Sequence, residues 1–110
     1  MPDEKQTPPP PVLSNAQKKT LRRLGHELTP LVTIGKEGLT DSVIEAIDSV
    51  LTSFELIKVK LLNTTPLDKK SAADVIPKRT SSNLVQLIGK TLLLYRPNPK
   101  RPKDKRVKLS

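Results

Sequence analysis

Apolar positions along this chain switch between two periods, and the switches mark out its elements. Ser14 and Gln17 have the S-x-x-Q spacing of a capping box, in which each side chain satisfies the other residue's free amide. Leu21, Leu24 and Leu28 then recur at helical spacing beside Gly25. This predicts a first helix over roughly 15–28, its leucine stripe in the core, ended before Pro30. Leu31 to Ile34 is a short β-branched run between proline and glycine, which predicts a buried strand. Thr40 can cap a second helix whose apolar positions are Val43, Ile44, Ile47, Val50, Leu51 and Phe54, with Asp41 and Glu45 suited to its positive end.

"ELIKVKLL", 55–62, alternates. Ile57, Val59 and Leu61 face one way and Lys58, Lys60 and Leu62 the other, as in a strand with lysines on its open face. Thr65 and Pro66 read as the cap and first residue of a third helix carrying Ala72, Ala73, Val75 and Ile76, which Pro77 stops or kinks. "NLVQLIG" and "TLLLYR" are strand-like runs meeting at Gly89 and Lys90, a two-residue hairpin turn with Gly89 at a positive φ. The order α-β-α-β-α-β-β predicts an α/β fold: a mixed four-stranded sheet with helices packed on it and right-handed parallel crossovers.

Composition changes the picture at the ends. Residues 1–13 include four consecutive prolines and little apolar content, so they predict a flexible proline-rich head. Residues 14–96 form the domain, and 97–110 read as a flexible basic tail. The net charge of +9 is biased toward the C-terminus: residues 96–110 contribute +6, residues 14–95 contribute +4 and the head −1. A pI near 10.1 distributed in this way points to a polyanionic partner, nucleic acid ahead of an anionic membrane. There is no cysteine, which excludes disulfides and thiolate metal sites. No apolar run reaches the ~18 residues of a membrane span. The proline-rich start lacks a signal-peptide core, so a soluble, cytoplasmic protein is expected.

Little in the chain suits catalysis. His26 is the single histidine, and no metal-ligand spacing surrounds it. Asp41, Glu45 and Asp48 share one helix and fit dipole-complementing surface better than a metal-dependent nuclease site. "IGKT", 88–91, resembles the end of a P-loop. However, Leu84 stands where that motif needs glycine, and the run lies between two strands rather than before a helix. We expect no enzyme activity, no cofactor, no metal and no small-molecule substrate.

"GKEG", 35–38, follows a strand and precedes a helix. It reads equally as a tight connection and as a place where loop and helix amides hold a phosphate, with Lys36 at its tip. Lys58 and Lys60 on a neighbouring strand, and Lys18, Lys19, Arg22 and Arg23 on the first helix, would extend it into a basic patch if the fold brings them together. With Phe54 in a core stripe, Tyr95 is the one aromatic left to stack a base. Contacts to phosphate, ribose and helix shape are therefore expected, which suits structured RNA.

"LSNAQKKTLRRLGHEL", "VTIGKEGLTDSVIEAID", "ELIKVKLL" and "LVQLIGKTLLLYRPNP", taken in order over roughly 13–99, closely resemble the YhbY-type stand-alone form of the CRM (chloroplast RNA splicing and ribosome maturation) domain. The resemblance implies a fold similar to the C-terminal domain of a bacterial translation initiation factor, with an added N-terminal helix. It also implies RNA binding, to precursors of the large ribosomal subunit in bacteria and to group II introns in plant organelles; a single domain without plant-type repeats favours the ribosome-linked reading, and a monomer is expected. The family's G-x-x-G loop maps onto Gly35, Lys36, Glu37 and Gly38, and its basic surface onto Lys18, Lys19, Arg22, Arg23, Lys58 and Lys60, extending to Lys90 and Arg96. Pro77 departs from the family pattern, in which the third helix continues. The alternative of another class is a protein-interaction adaptor that docks on ribosomal proteins or assembly factors.

Overall fold

The structure is a computed structural model that describes residues 12–107; the rest of the proline-rich head and the last three residues lie outside the described residues. Its elements are α1 (Asn15–Gly25), β1 (Val32–Ile34), α2 (Asp41–Phe54), β2 (Leu56–Leu61), α3 (Lys69–Thr80), β3 (Asn83–Ile88), β4 (Thr91–Tyr95) and a short 3₁₀ turn (Lys103–Lys105). The four strands form one mixed sheet in the order β1-β2-β4-β3. β1 and β2 are parallel, while β4 runs antiparallel to both β2 and β3. This is the α-β-α-β-α-β-β mixed sheet that the sequence predicts. β2 and β3 run the same way with β4 inserted between them.

The strand alternation divides the core in two. Ile57, Val59 and Leu61 of β2, with Leu92 and Leu94 of β4, join Ile47 and Leu51 of α2 and Ala72 and Ile76 of α3. The next residue along each strand looks the other way: Leu56, Leu93 and Tyr95 meet Leu21 of α1, with Leu13 and Val85. One face of the sheet is therefore covered by α2 and α3, the other by α1 with Leu13 and Val107 beside it. Each fully buried leucine or isoleucine contributes roughly 1.5–3 kcal/mol of transfer free energy.

Four local expectations are corrected. First, α1 stops at Gly25, and Leu24 and Leu28 are exposed. The buried stripe is Leu21 and Gly25, four residues apart, because a Cβ at 25 would lie 2.6 Å from Leu93 Cδ2. The glycine itself is the contact position. Second, Phe54, the last residue of α2, is 52% exposed and does not join the core stripe. Third, α3 starts later than its proline suggests: Asp68 is the cap, its side chain accepting from the amides of Lys70 and Ser71. Fourth, the helix runs through Pro77 to Thr80, with Ile76 and Thr80 buried on either side of the proline and Ser81 closing the end at φ 53°. The hairpin is as expected, with Gly89 at φ 56°.

Candidate nucleic-acid interface

β1 and β2 are parallel with Ile34 opposite Leu61, so both end at the same edge of the sheet. Residues 35–38 leave β1 there as a tight turn, closed by the Gly38 amide donating to the Gly35 carbonyl at 3.0 Å. Gly38 has φ 73°, a conformation that a side chain resists. Thr40 then caps α2, its hydroxyl accepting from the Val43 amide at 3.1 Å. Part of the amide cluster expected from the sequence is thus satisfied internally. The amides of Lys36 and Glu37 at the turn tip, and of Asp41 and Ser42 on the first turn of α2, donate to no other group among the described residues. They stand at the positive end of a 14-residue helix. Lys36 and Glu37 are exposed while Gly38 is buried, so the tip faces solvent and its base is anchored. Glu37 offsets the Lys36 charge, and net attraction for an anion must come from the surroundings.

Those surroundings are cationic. Lys60 is opposite Thr33 on β1 and opposite Thr91 on β4, one residue short of the edge where the loop sits. Lys90, in the β3–β4 turn, occupies the same edge: its carbonyl accepts from the Leu61 amide at 2.8 Å and its Nζ donates to Asn63 Oδ1 at 2.8 Å. Lys58 and Lys60 share their sheet face with α1, since they alternate with the core residues that meet α2 and α3. Lys58 is half-buried there and donates to the His26 carbonyl at the end of α1, at 3.4 Å. Lys19 and Arg23 on α1 are exposed; Lys18 and Arg22 are half-buried. The loop, Lys60 and Lys90 therefore meet at one edge, and α1 lies across the same face.

Arg96 does not join them. It follows β4 at the opposite edge, where its guanidinium donates to Asp48 Oδ1 at 2.6 Å, to the Thr80 carbonyl at 2.7 Å and to Thr52 Oγ1 at 2.8 Å. Only 13% of its side chain is exposed. It joins α2 to the end of α3. The same contact removes Asp48 from any acidic cluster, and Asp41 pairs with Arg79 at 3.3 Å. Among the described residues no group of three His, Cys, Asp or Glu could hold a metal ion, and no helix is long and apolar enough to cross a membrane.

Glu55 is the residue the sequence reading missed. Expected at the start of a strand, it ends α2 at φ 66°, where glycine is the usual occupant, and it is fully buried. Its carboxylate accepts from the amides of Asn98 and Val107 and from the guanidinium groups of Arg101 and Arg106. The composition predicted a mobile tail after residue 96; residues 97–107 are instead tied to this one acid. The available signal was a glutamate at a helix end that lacks a glycine. Burial and the Glu55 carboxylate together push the neighbouring Tyr95 phenol above its ordinary value, against the smaller opposing effect of Arg106.

A mixed sheet of this order, backed by two helices on one face and crossed by one basic helix on the other, with a glycine-bracketed turn beside its lysines, makes this a small α/β domain with one cationic sheet end. The CRS1/YhbY (CRM) domain model matches residues 13–96, and the chain belongs to that family. It is 41% identical over 85 residues to the "Probable RNA-binding protein YqeI" of Bacillus subtilis, covering 77% of this chain and 88% of that one. It is 39% identical over 92 residues to a "Probable RNA-binding protein" of Pseudomonas aeruginosa, covering 84% and 88%. A chloroplastic CRM-domain containing factor of Arabidopsis thaliana is 29% identical over 84 residues, which make up 76% of this chain but 8% of that much longer protein. In three dimensions the chain matches the solution structure of the Staphylococcus aureus hypothetical protein SAV1595 with a TM-score of 0.73 and 38% identity, over 90% of this chain and all of that one. The bacterial relatives are named for binding RNA, in keeping with a non-enzymatic protein.

Proposed function

We propose that this protein binds structured ribosomal RNA without performing chemistry on it, as a monomer in the cytoplasm, during assembly of the large ribosomal subunit. The observation that carries the reading is the meeting of four amides with no partner among the described residues, at the 35–38 turn and the start of α2, with Lys36, Lys60 and Lys90 at one edge of the sheet. Amides at a helix N-terminus take an anionic oxygen, and the lysines supply longer-range attraction. Lys19 and Arg23, with the half-buried Lys18, Arg22 and Lys58, continue the surface. No exposed aromatic platform except Phe54 stands out, and Phe54 is at the far end of α2. Grip on backbone and helix shape follows, rather than base stacking. The names of the bacterial relatives support RNA as the polyanion.

Titrating protein-free ribosomal RNA with the protein over a range of salt concentrations tests this. With about six phosphates neutralised, log K should fall against log salt with a slope of roughly −4 to −5. A slope near zero would remove the mechanism. Binding to ribosomal particles with none to protein-free RNA would favour the adaptor reading instead.

A further inference from the structure

The C-terminal segment beyond residue 96 lies outside the family match, yet the structure gives it a defined course. Asn98 begins the attachment: its amide donates to Glu55, its Nδ2 donates to the Thr52 carbonyl at 2.8 Å, and its Oδ1 accepts from the Lys100 amide at 3.1 Å. Val107 completes it, with its amide on Glu55 Oε1 at 2.7 Å and its side chain packed on the α1-side cluster. Arg101 and Arg106 turn inward onto the same carboxylate, at 3.2 and 3.4 Å. Lys100, Lys103 and Lys105 are left facing outward, exposed and outside every ion pair among the described residues, with Asp104 as the one acid among them.

We propose that residues 97–107 are a pinned strap that presents Lys100, Lys103 and Lys105 as a second phosphate-contacting ridge, and that Glu55 is the residue that positions it. The ridge is at the other end of the sheet from the 35–38 turn. Glu55 immediately precedes β2, whereas the turn leaves β1 opposite the last residue of β2, Leu61. Six residues of strand separate the two by roughly 17 Å or more. An RNA helix reaching both ends would be held at two places, which fixes its direction across the molecule as well as its affinity. The positive φ at Glu55 fits this role. A glycine would end α2 there at lower conformational cost, so the glutamate is explained by what its carboxylate holds.

The inference rests on the RNA-binding reading, and one set of measurements separates the two. Affinity for protein-free ribosomal RNA is measured against salt for the full chain, for the triple variant Lys100→Ala/Lys103→Ala/Lys105→Ala, and for Glu55→Gln and Asn98→Ala. The last two loosen the strap while keeping every lysine. The triple variant should lower the steepness of the salt dependence by about two to three units. Glu55→Gln and Asn98→Ala should lose affinity to a similar extent, with circular dichroism confirming that α1–α3 remain. Asn98→Ala leaves the buried acid untouched, so it carries the test if Glu55→Gln fails to fold. Should the loosened variants bind as tightly as the native chain, or tighter because two arginines are freed, the tail acts as a loose polycation and pinning is irrelevant. An unchanged triple variant likewise overturns the ridge. If the native chain itself ignores protein-free RNA, the underlying RNA reading falls first.

Discussion

The two glycines of the 35–38 turn are there for different reasons, and replacing each in turn separates folding from binding. At Gly38 the backbone holds φ 73°. A Cβ there would sit 3.6 Å from Pro66 Cγ, an ordinary contact, so the penalty of Gly38→Ala is conformational alone. It should be about 1–2 kcal/mol, the usual cost of forcing an L-residue into the left-handed region. For a domain of this size each kcal/mol lowers Tm by about 4–8 °C, so a fall of roughly 4–16 °C is expected in a circular dichroism melt. Gly35 has no positive φ, and a Cβ there would meet only Leu62 Cδ1, at 3.7 Å. Gly35→Ala should therefore hold Tm within about 0.5 kcal/mol equivalent, or raise it slightly through a less flexible unfolded chain. If an RNA backbone approaches the turn closely, the added methyl lies in its way, and affinity should drop at least severalfold while the fold is intact. Filter binding at fixed salt reads this. A Gly35→Ala protein that melts and binds like the native chain would refute the idea that this glycine makes room for a ligand, and an undiminished Tm for Gly38→Ala would refute the conformational argument.

Gly25→Ala should destabilise despite the better helix propensity of alanine: the new methyl would lie 2.6 and 2.7 Å from the two Leu93 methyls. Overpacking of this kind costs about 1–3 kcal/mol against a propensity gain of about 1 kcal/mol, and chemical denaturation measures the difference. Arg96→Ala should lower stability by about 2–3 kcal/mol, since it removes charge-assisted bonds to Asp48 and leaves the Thr80 carbonyl without this donor, while RNA affinity per folded molecule stays within about twofold. Tyr95 should ionise above the ordinary tyrosine value of about 10 in an ultraviolet titration. Because the raised value means that the folded state favours the neutral phenol, the contribution is fully present below pH ~10 and is lost as pH climbs through the folded-state value, so alkaline stability should decline in that range.

The sheet was legible because period-two alternation in 55–62 and the Gly89–Lys90 turn are local signals that the fold respects. The loop was legible for the same reason: glycine between a strand and a capped helix has few readings. What the sequence hid was long-range. Leu24 and Leu28 carry the right period for a buried stripe, but the sheet accepts only Leu21 and Gly25, and nothing local says that a glycine is the contact. Pro77 was expected to stop or kink the helix because its missing amide is a local fact, whereas the burial of Ile76 and Thr80 on either side of it is tertiary. Arg96 looked like part of an RNA surface, and the tail arginines like part of a flexible basic run, because composition counts their charge and cannot see the partners, Asp48 and Glu55, that lie 48 and 46–51 residues away in the chain.

The central claim, that backbone amides at the 35–38 turn and the start of α2 take phosphate, is tested most directly by amide chemical shifts during titration with a structured ribosomal RNA fragment. The amides of Lys36, Glu37, Asp41 and Ser42 should move early and saturate together, with the side chains of Lys60 and Lys90 responding alongside them. Shifts concentrated on the outer surfaces of α2 and α3, with those four amides unmoved at saturation, would contradict it.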